Sequence, residues 1–303
     1  MTPQRRVVLI GSLYVLGAIV SWGAYFPYAK LILAKLSPDV FLIFRFGIGA
    51  AVLGGLCLRQ RCAISVKRRD LPYVAAAAVV GIILHQLIQL AGLRHTSATN
   101  TGWILTLIPL VTGLLGWVFL RERISVRQWI GLAVAMTGVV LFVSDGAVGQ
   151  LSLRGNVGDL LIMGSVLTWS VYTILVKSRL ARYDALPLTA MIMTIGLVFF
   201  LLAGVQQISR EVAVLTRRDW ITLILIGVIP SGLAYYWWAA GLARLSAMNT
   251  SMFLFIEAIV ASAAGCLLLG EMFTLRMVLF AVVVATGVYI AQRDRPGVYQ
   301  GGE

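Results

Sequence analysis

Gly92-Leu93-Arg94-His95-Thr96-Ser97-Ala98-Thr99-Asn100-Thr101 returns as Gly241-Leu242-Ala243-Arg244-Leu245-Ser246-Ala247-Met248-Asn249-Thr250. The match continues without a gap to Gly138 and Gly287, at a constant offset of 149 residues: Glu122 aligns with Glu271, Arg127 with Arg276, and Thr137-Gly138 with Thr286-Gly287. Upstream, Arg68-Arg69-Asp70 aligns with Arg217-Arg218-Asp219 and Pro38 with Pro187. Nearer the start the offset is 147, which sets Trp22 and Tyr25 against Trp169 and Tyr172. The chain is two copies of one unit. Duplication of a mostly apolar unit points to a membrane carrier with its site between the halves.

Hydrophobic residues make up 60% of the 303-residue chain and charged ones 12%, whereas soluble domains are about a quarter charged. Mean hydropathy is +0.92. Apolar runs bounded by charges or Gly/Pro clusters fall near 7–29, 38–58, 71–93, 97–120, 126–144, 157–177, 186–207, 219–241, 247–269 and 274–292. A helix needs roughly 20 apolar residues to cross a bilayer, so these runs predict ten transmembrane helices and leave no room for a soluble catalytic domain. They are too long for barrel strands and lack alternation, which makes the expected fold an all-α polytopic membrane protein.

The expected organisation is one five-helix repeat over 1–145, a second over 156–293, and a cytoplasmic tail over 294–303. A linker around Ser144 to Asn156 joins the copies on the outer surface. The basic N-terminus, Met1 to Arg6, leads into a segment with Trp22, Tyr25, Pro27 and Lys30, which reads as a retained first helix rather than a cleaved signal. With that terminus inside, sixteen Lys and Arg residues fall in inner segments and eight in outer ones, with only Arg45 within a span. This bias puts both termini in the cytoplasm. Five spans per copy is an odd number, so the second copy runs upside down relative to the first. Such inverted repeats suit alternating access. The short connections predict sequential helices as antiparallel neighbours.

The net charge of +13 sorts by membrane side and so gives no argument for nucleic acid. Cys57, Cys62 and Cys266 have no metal-binding spacing and read as packing residues. No metal is expected. A Gly-rich phosphate loop is absent, which speaks against ATP as driver, and no cofactor is expected.

Trp22-Gly23 in the first span, Arg45-Phe46 opening the second, Pro109 in the fourth, the turns at Glu122 and Glu271, and Gly138-Val139 with Gly287-Val288 together resemble the EamA family of drug/metabolite transporters. The resemblance covers nearly the whole chain. Within the family the chain is most similar to bacterial YddG-type exporters of aromatic amino acids. The resemblance implies a multi-pass protein of the bacterial inner membrane that exports amino acids or related small metabolites. Arg45 aligns with Thr194 and Pro109 with Ala258, so the halves differ at the site.

Individual residues sharpen the expectation. His85, in Leu84-His85-Gln86-Leu87-Ile88-Gln89, cannot face lipid cheaply. It serves as a solute-binding or proton-accepting group, or else as a histidine satisfied by a neighbouring helix; Gln89 shares its face. Glu257 sits deep in the ninth span and carries a proton, meets a solute amine, or pairs statically with Arg45. Arg45 lies about two turns from its helix end and is expected to snorkel outward as an anchor, with carboxylate binding as the other reading. Trp22, Tyr25, Trp103, Trp169, Tyr172 and Tyr235 are expected to line a solute cavity, while Trp117, Trp129 and Trp220 suit an interfacial belt. Asn100 and Asn249 read as caps or gate elements, Glu122 and Glu271 as charges suited to helix N-termini, and Pro27, Pro109 and Pro230 as kinks.

Three functions compete. A carrier for a partly apolar solute such as an amino acid, facilitated or proton-linked, fits the duplication; an exporter of an unrelated drug-like solute fits it as well. An intramembrane enzyme needs paired aspartates, a His cluster or a Ser with a base, and none is found in the spans. A passive channel needs charge rings or a carbonyl filter.

Overall fold

The computed structural model describes residues 3–62, 66–96, 98–143, 157–269 and 275–292. The ordered elements among them are helical, with no strand. Eight helices are long and apolar enough to cross a membrane: α1 (Pro3–Leu33), α2 (Pro38–Gln60), α3 (Arg68–His95), α4 (Thr101–Leu120), α6 (Val157–Leu180), α7 (Ala185–Val214), α8 (Arg217–Leu242) and α9 (Ala247–Leu268). Two further helices, α5 (Val126–Val143) and α10 (Leu275–Gln292), stand where the fifth and tenth spans are expected. Large apolar side chains such as Leu13, Leu58, Leu202 and Leu267 point outward, as a lipid-facing surface requires. The chain is a multi-pass, all-helical membrane protein. The expected linker, the tail at 294–303 and Glu271 lie outside the described residues.

Local chemistry sets the helix starts. Ser37 takes extended backbone and its hydroxyl accepts from the Val40 N–H, with Pro38 at the first helical position, where the missing donor costs nothing. Thr216 and Asp219 form a reciprocal capping box at the start of α8. The cap of α9 is Ser246, whose hydroxyl accepts from the Asn249 N–H; the Asn249 side chain instead accepts from Gln128 on α5. Asn249 is therefore an interhelical residue rather than the cap expected of it.

Sequential helices are antiparallel but not neighbours in the expected way. α1 makes its main contacts with α8 and α9, and α6 makes its main contacts with α3 and α4. α2 lies on α8 and α7 lies on α3. The helices thus sort into one bundle of α1, α2, α8 and α9 and another of α6, α7, α3 and α4, each mixing both copies. Exchange of the copies converts one list into the other. The bundles meet along α2–α7 and α4–α9, and α5 packs along α10 at the margin.

Small residues decide how closely that margin closes. A Cβ placed on Gly131 would stand 2.5 Å from the Gly287 carbonyl oxygen, and one on Gly138 would stand 2.9 Å from the Val284 nitrogen. Backbone therefore meets backbone here, which only glycine permits. The four-residue spacing of Gly131 and Ala135 is used for this approach. That of Ala50 and Gly54 is not, because nothing lies within 4 Å of a Cβ on Gly54.

Substitution Gly131→Leu is expected to cost about 1–3 kcal/mol or more through overpacking, lowering the thermal midpoint in detergent, while Gly54→Leu leaves it nearly unchanged. Equal midpoints for the two variants would contradict the α5–α10 contact.

Candidate functional site

Between the two bundles lies a small cavity of about 30 Å³, room for one or two water molecules. The first bundle contributes Trp22, Tyr25 and Phe26 from α1, Arg45 from α2, Tyr235 from α8, and Leu254 and Glu257 from α9. The second contributes His85, Gln86 and Gln89 from α3, Leu105 and Ile108 from α4, and Trp169 from α6. Eight of the ten groups singled out in the sequence line it, and Trp103 and Tyr172 do not. Trp103 packs in a separate cluster with Leu132, Met252 and Phe255, because its helix turns that face toward α5 and α9. Tyr172 stands one layer back, against Trp169 at a ring separation of 5.0 Å, and does not reach the cavity.

Arg45 does not snorkel. Its side chain is buried, 2% exposed, and is satisfied inside the protein. Nε donates to the Ser231 hydroxyl at 2.8 Å, and Nη1 donates to the Tyr25 hydroxyl at 2.7 Å and to Gln86 Oε1 at 2.6 Å. The guanidinium also lies 4.1 Å from the centre of the Tyr25 ring. Three helices thus supply partners that water would supply at the surface, which removes the reason to reach outward.

Ser231 Oγ donates to the Ile226 carbonyl at 2.9 Å and accepts from Arg45. Around it, residues Gly227–Leu233 are wound as π-helix, and so are the aligned residues Ala78–Leu84 on α3, where Gly81 stands in place of Pro230. Widened turns of this kind recur at functional sites because they re-aim side chains. The Trp22 indole N–H donates to the Pro230 carbonyl at 2.7 Å, so two cavity residues are held by this widened turn.

Aligned residues from the two copies meet at the centre. Gln86 Nε2 donates to the hydroxyl of Tyr235, its counterpart 149 residues on, at 2.7 Å. Trp22 and its counterpart Trp169 touch edge to face with centroids 5.1 Å apart, and Tyr235 and Trp238 pack on both. The sequence leaves Gln86 even between a structural and a functional role, because amide side chains in spans are ambiguous.

His85 is held by α6. Its Nδ1 lies 3.1 Å from the Ser165 carbonyl and 3.2 Å from the Thr168 hydroxyl, and its ring lies 4.9 Å from Trp169. A carbonyl only accepts, so Nδ1 carries the proton in the neutral ring and Nε2 keeps the lone pair. Several polar groups of the cavity wall make no hydrogen bond to any described residue: Arg45 Nη2, His85 Nε2, the Trp169 indole N–H and the Glu257 carboxyl. Glu257 is buried at 3% exposure and forms no ion pair with Arg45 among the described residues. Buried polar groups are usually satisfied, so this concentration of unspent donors and acceptors at one cavity marks a place for a polar ligand.

The turn carboxylate Glu122 also acts differently from expectation. It accepts from the Ala247 N–H at 3.1 Å, placing its charge at the N-terminus of α9 rather than of the helix that follows it.

A pattern of the EamA-like transporter family matches residues 9–144 and again residues 156–292. An uncharacterized transporter of Archaeoglobus fulgidus is 27% identical over 91% of this chain and 96% of its own length. The transporter YyaM of Bacillus subtilis, also uncharacterized, is 28% identical over 91% of this chain and 92% of its own. A probable terminal-alkyne amino-acid exporter of Streptantibioticus cattleyicolor is 26% identical over 84% of this chain and 83% of its own. A solved structure superposes with a TM-score of 0.74 at 19% identity, covering 94% of this chain and 97% of that one, which shows a shared fold.

The substitution Gln86→Leu removes the acceptor of Arg45 and the donor to Tyr235 together, leaving a buried charge short of a partner. It is expected to cost about 1–3 kcal/mol, read as a lower thermal midpoint in detergent. A midpoint equal to that of the unaltered protein would remove Gln86 from the network.

Proposed function

Because the chain belongs to the EamA-like transporter family, we propose that it exports amino acids, aromatic or otherwise partly apolar, across the bacterial inner membrane by alternating access. The observation that carries this reading is the pairing, in one cavity, of a cation with an unused donor and an unpaired carboxyl beside an aromatic wall. Arg45 Nη2 meets the solute carboxylate, the Glu257 carboxylate meets the ammonium, and Trp22, Trp169 and Tyr235 receive the side chain. His85 Nε2 and the Trp169 indole N–H are further partners for the polar end. The similarity to a probable amino-acid exporter supports the same solute class.

Ten spans in two inverted five-helix repeats, 1–145 and 156–293, with both termini in the cytoplasm, give this reading its mechanism. The exchange symmetry of the helix packing and the double family match support that arrangement. A cavity of about 30 Å³ does not hold an amino acid, so the bundles must part to admit one, and parting at one end while the other stays shut is alternating access. The driver is the solute's own gradient or a proton gradient. Glu257 carries the proton in the second case, as the carboxyl that lines the cavity.

Proteoliposomes are expected to take up labelled phenylalanine and, more weakly, threonine, but no polyamine. Arg45→Gln and Glu257→Gln each lower phenylalanine uptake by roughly tenfold or more, as loss of a charge-assisted contact implies, with Glu257→Gln keeping the thermal midpoint because the Glu257 carboxyl makes no hydrogen bond to a described residue. Trp169→Ala weakens uptake of bulky amino acids more than that of threonine. Uptake of none of these solutes above empty vesicles would sink the amino-acid assignment.

A further inference from the structure

The two bundles are fastened to each other by one lysine at each end of the molecule, and the two lysines are counterparts. Lys30 ends α1 in the run Trp22 to Lys30, and Lys177 holds the aligned place on α6 in the run Trp169 to Lys177. Lys30 Nζ donates to the Thr96 carbonyl at 2.7 Å, at the C-terminal end of α3. Lys177 Nζ donates to the Leu242 and Leu245 carbonyls at 2.8 and 2.7 Å, at the C-terminal end of α8. Thr96 and Leu245 are themselves aligned at the 149-residue offset.

The chemistry is the same at both ends. The last carbonyls of a helix have no intrahelical donor and sit at the negative end of its dipole, so an ammonium fits them. What matters is which bodies are joined. α1 belongs to the first bundle and α3 to the second, while α6 belongs to the second and α8 to the first. Each lysine therefore crosses the seam that borders the cavity.

They do so at opposite ends. Following the antiparallel course of the chain, the end of α3 lies where α1 finishes, and the end of α8 lies where α1 begins. The other matched ion pairs do not cross the seam: Lys35–Asp219, 2.7 Å, joins the α1–α2 turn to α8 within the first bundle, and Arg182–Asp70, 2.7 Å, joins the α6–α7 turn to α3 within the second. Those pairs lie within single bundles. Ser37 N–H to Glu211 at 2.6 Å and Arg94 to the Leu36 carbonyl at 3.3 Å assist Lys30 at its end, and Glu122 to the Ala247 N–H assists Lys177 at the other.

We propose that Lys30 and Lys177 are the two gate latches of the transport cycle, each closing one end of the cavity by clamping a helix C-terminus of the opposite bundle. With both latched the cavity is small, about 30 Å³. Release of one with the other held opens one side only. This deepens the transport reading and rests on its alternating access, though not on the identity of the solute.

The test uses accessibility rather than transport, so it is independent of the solute assignment. In the full chain with Cys57, Cys62 and Cys266 replaced, Leu105→Cys reports from the cavity wall. Its reaction with a membrane-impermeant maleimide is followed in right-side-out and in inside-out vesicles. Lys30→Met raises the labelling rate roughly tenfold from one side and Lys177→Met does so from the opposite side, because each removes a hydrogen bond from a charged donor. Lys30→Arg and Lys177→Arg, which keep the charge, stay near the starting rate. The proposal is overturned if neither Met variant changes its rate, or if both open the same side. Should Lys177→Met fail to elute as a single folded species, the part-buried Lys30 decides alone: a rise from both sides or from neither rejects the latch.

Discussion

A guanidinium cannot rest in the middle of a bilayer without partners, and the way Arg45 is accommodated organises the centre of this protein. Its donors go to Ser231 on α8, Tyr25 on α1 and Gln86 on α3, so helices from both bundles are fixed around one side chain. Ser231 is itself held by its hydroxyl donating to the Ile226 carbonyl, in a stretch of α8 wound as π-helix. A buried charge is costly without partners, and beside its unused Nη2 stands Glu257, which makes no ion pair with it among the described residues.

Duplication gives the same centre its geometry. Residues that are counterparts in the two copies meet across it, Gln86 with Tyr235 and Trp22 with Trp169. The copies are nevertheless unequal there. Arg45 has Thr194 as counterpart and Glu257 has Ile108, so symmetric helices enclose an asymmetric set of charges. The bundles themselves cut across the copies, because α1 and α6 each pack mainly on helices of the other half.

Much of this was legible in the sequence. Hydropathy and the repeat fixed an all-helical membrane chain, and the rule that polar groups in a span face protein picked out His85, Gln89, Arg45 and Glu257, which all line the cavity. Trp22, Tyr25, Trp169 and Tyr235 followed from aromatic clustering. Three matters were not readable. Arg45 was expected to snorkel because depth along a helix is visible in sequence, whereas partners on three other helices are not. Trp103 and Tyr172 were misplaced because a span of apolar residues hides which face is turned inward, and a tryptophan suits a packed cluster as well as a cavity. Sequential helices were expected to be neighbours because connections are short, but short turns fix direction and not the face against which a helix packs.

The central claim is that one cavity reads both charged ends of an amino acid. Calorimetric titration of the detergent-purified chain with phenylalanine, its methyl ester and its N-acetyl derivative separates the two contacts without requiring transport. The account predicts one phenylalanine bound per chain, with both derivatives binding at least roughly tenfold more weakly because each lacks one charge. Equal affinity for the free amino acid and either blocked form would contradict it.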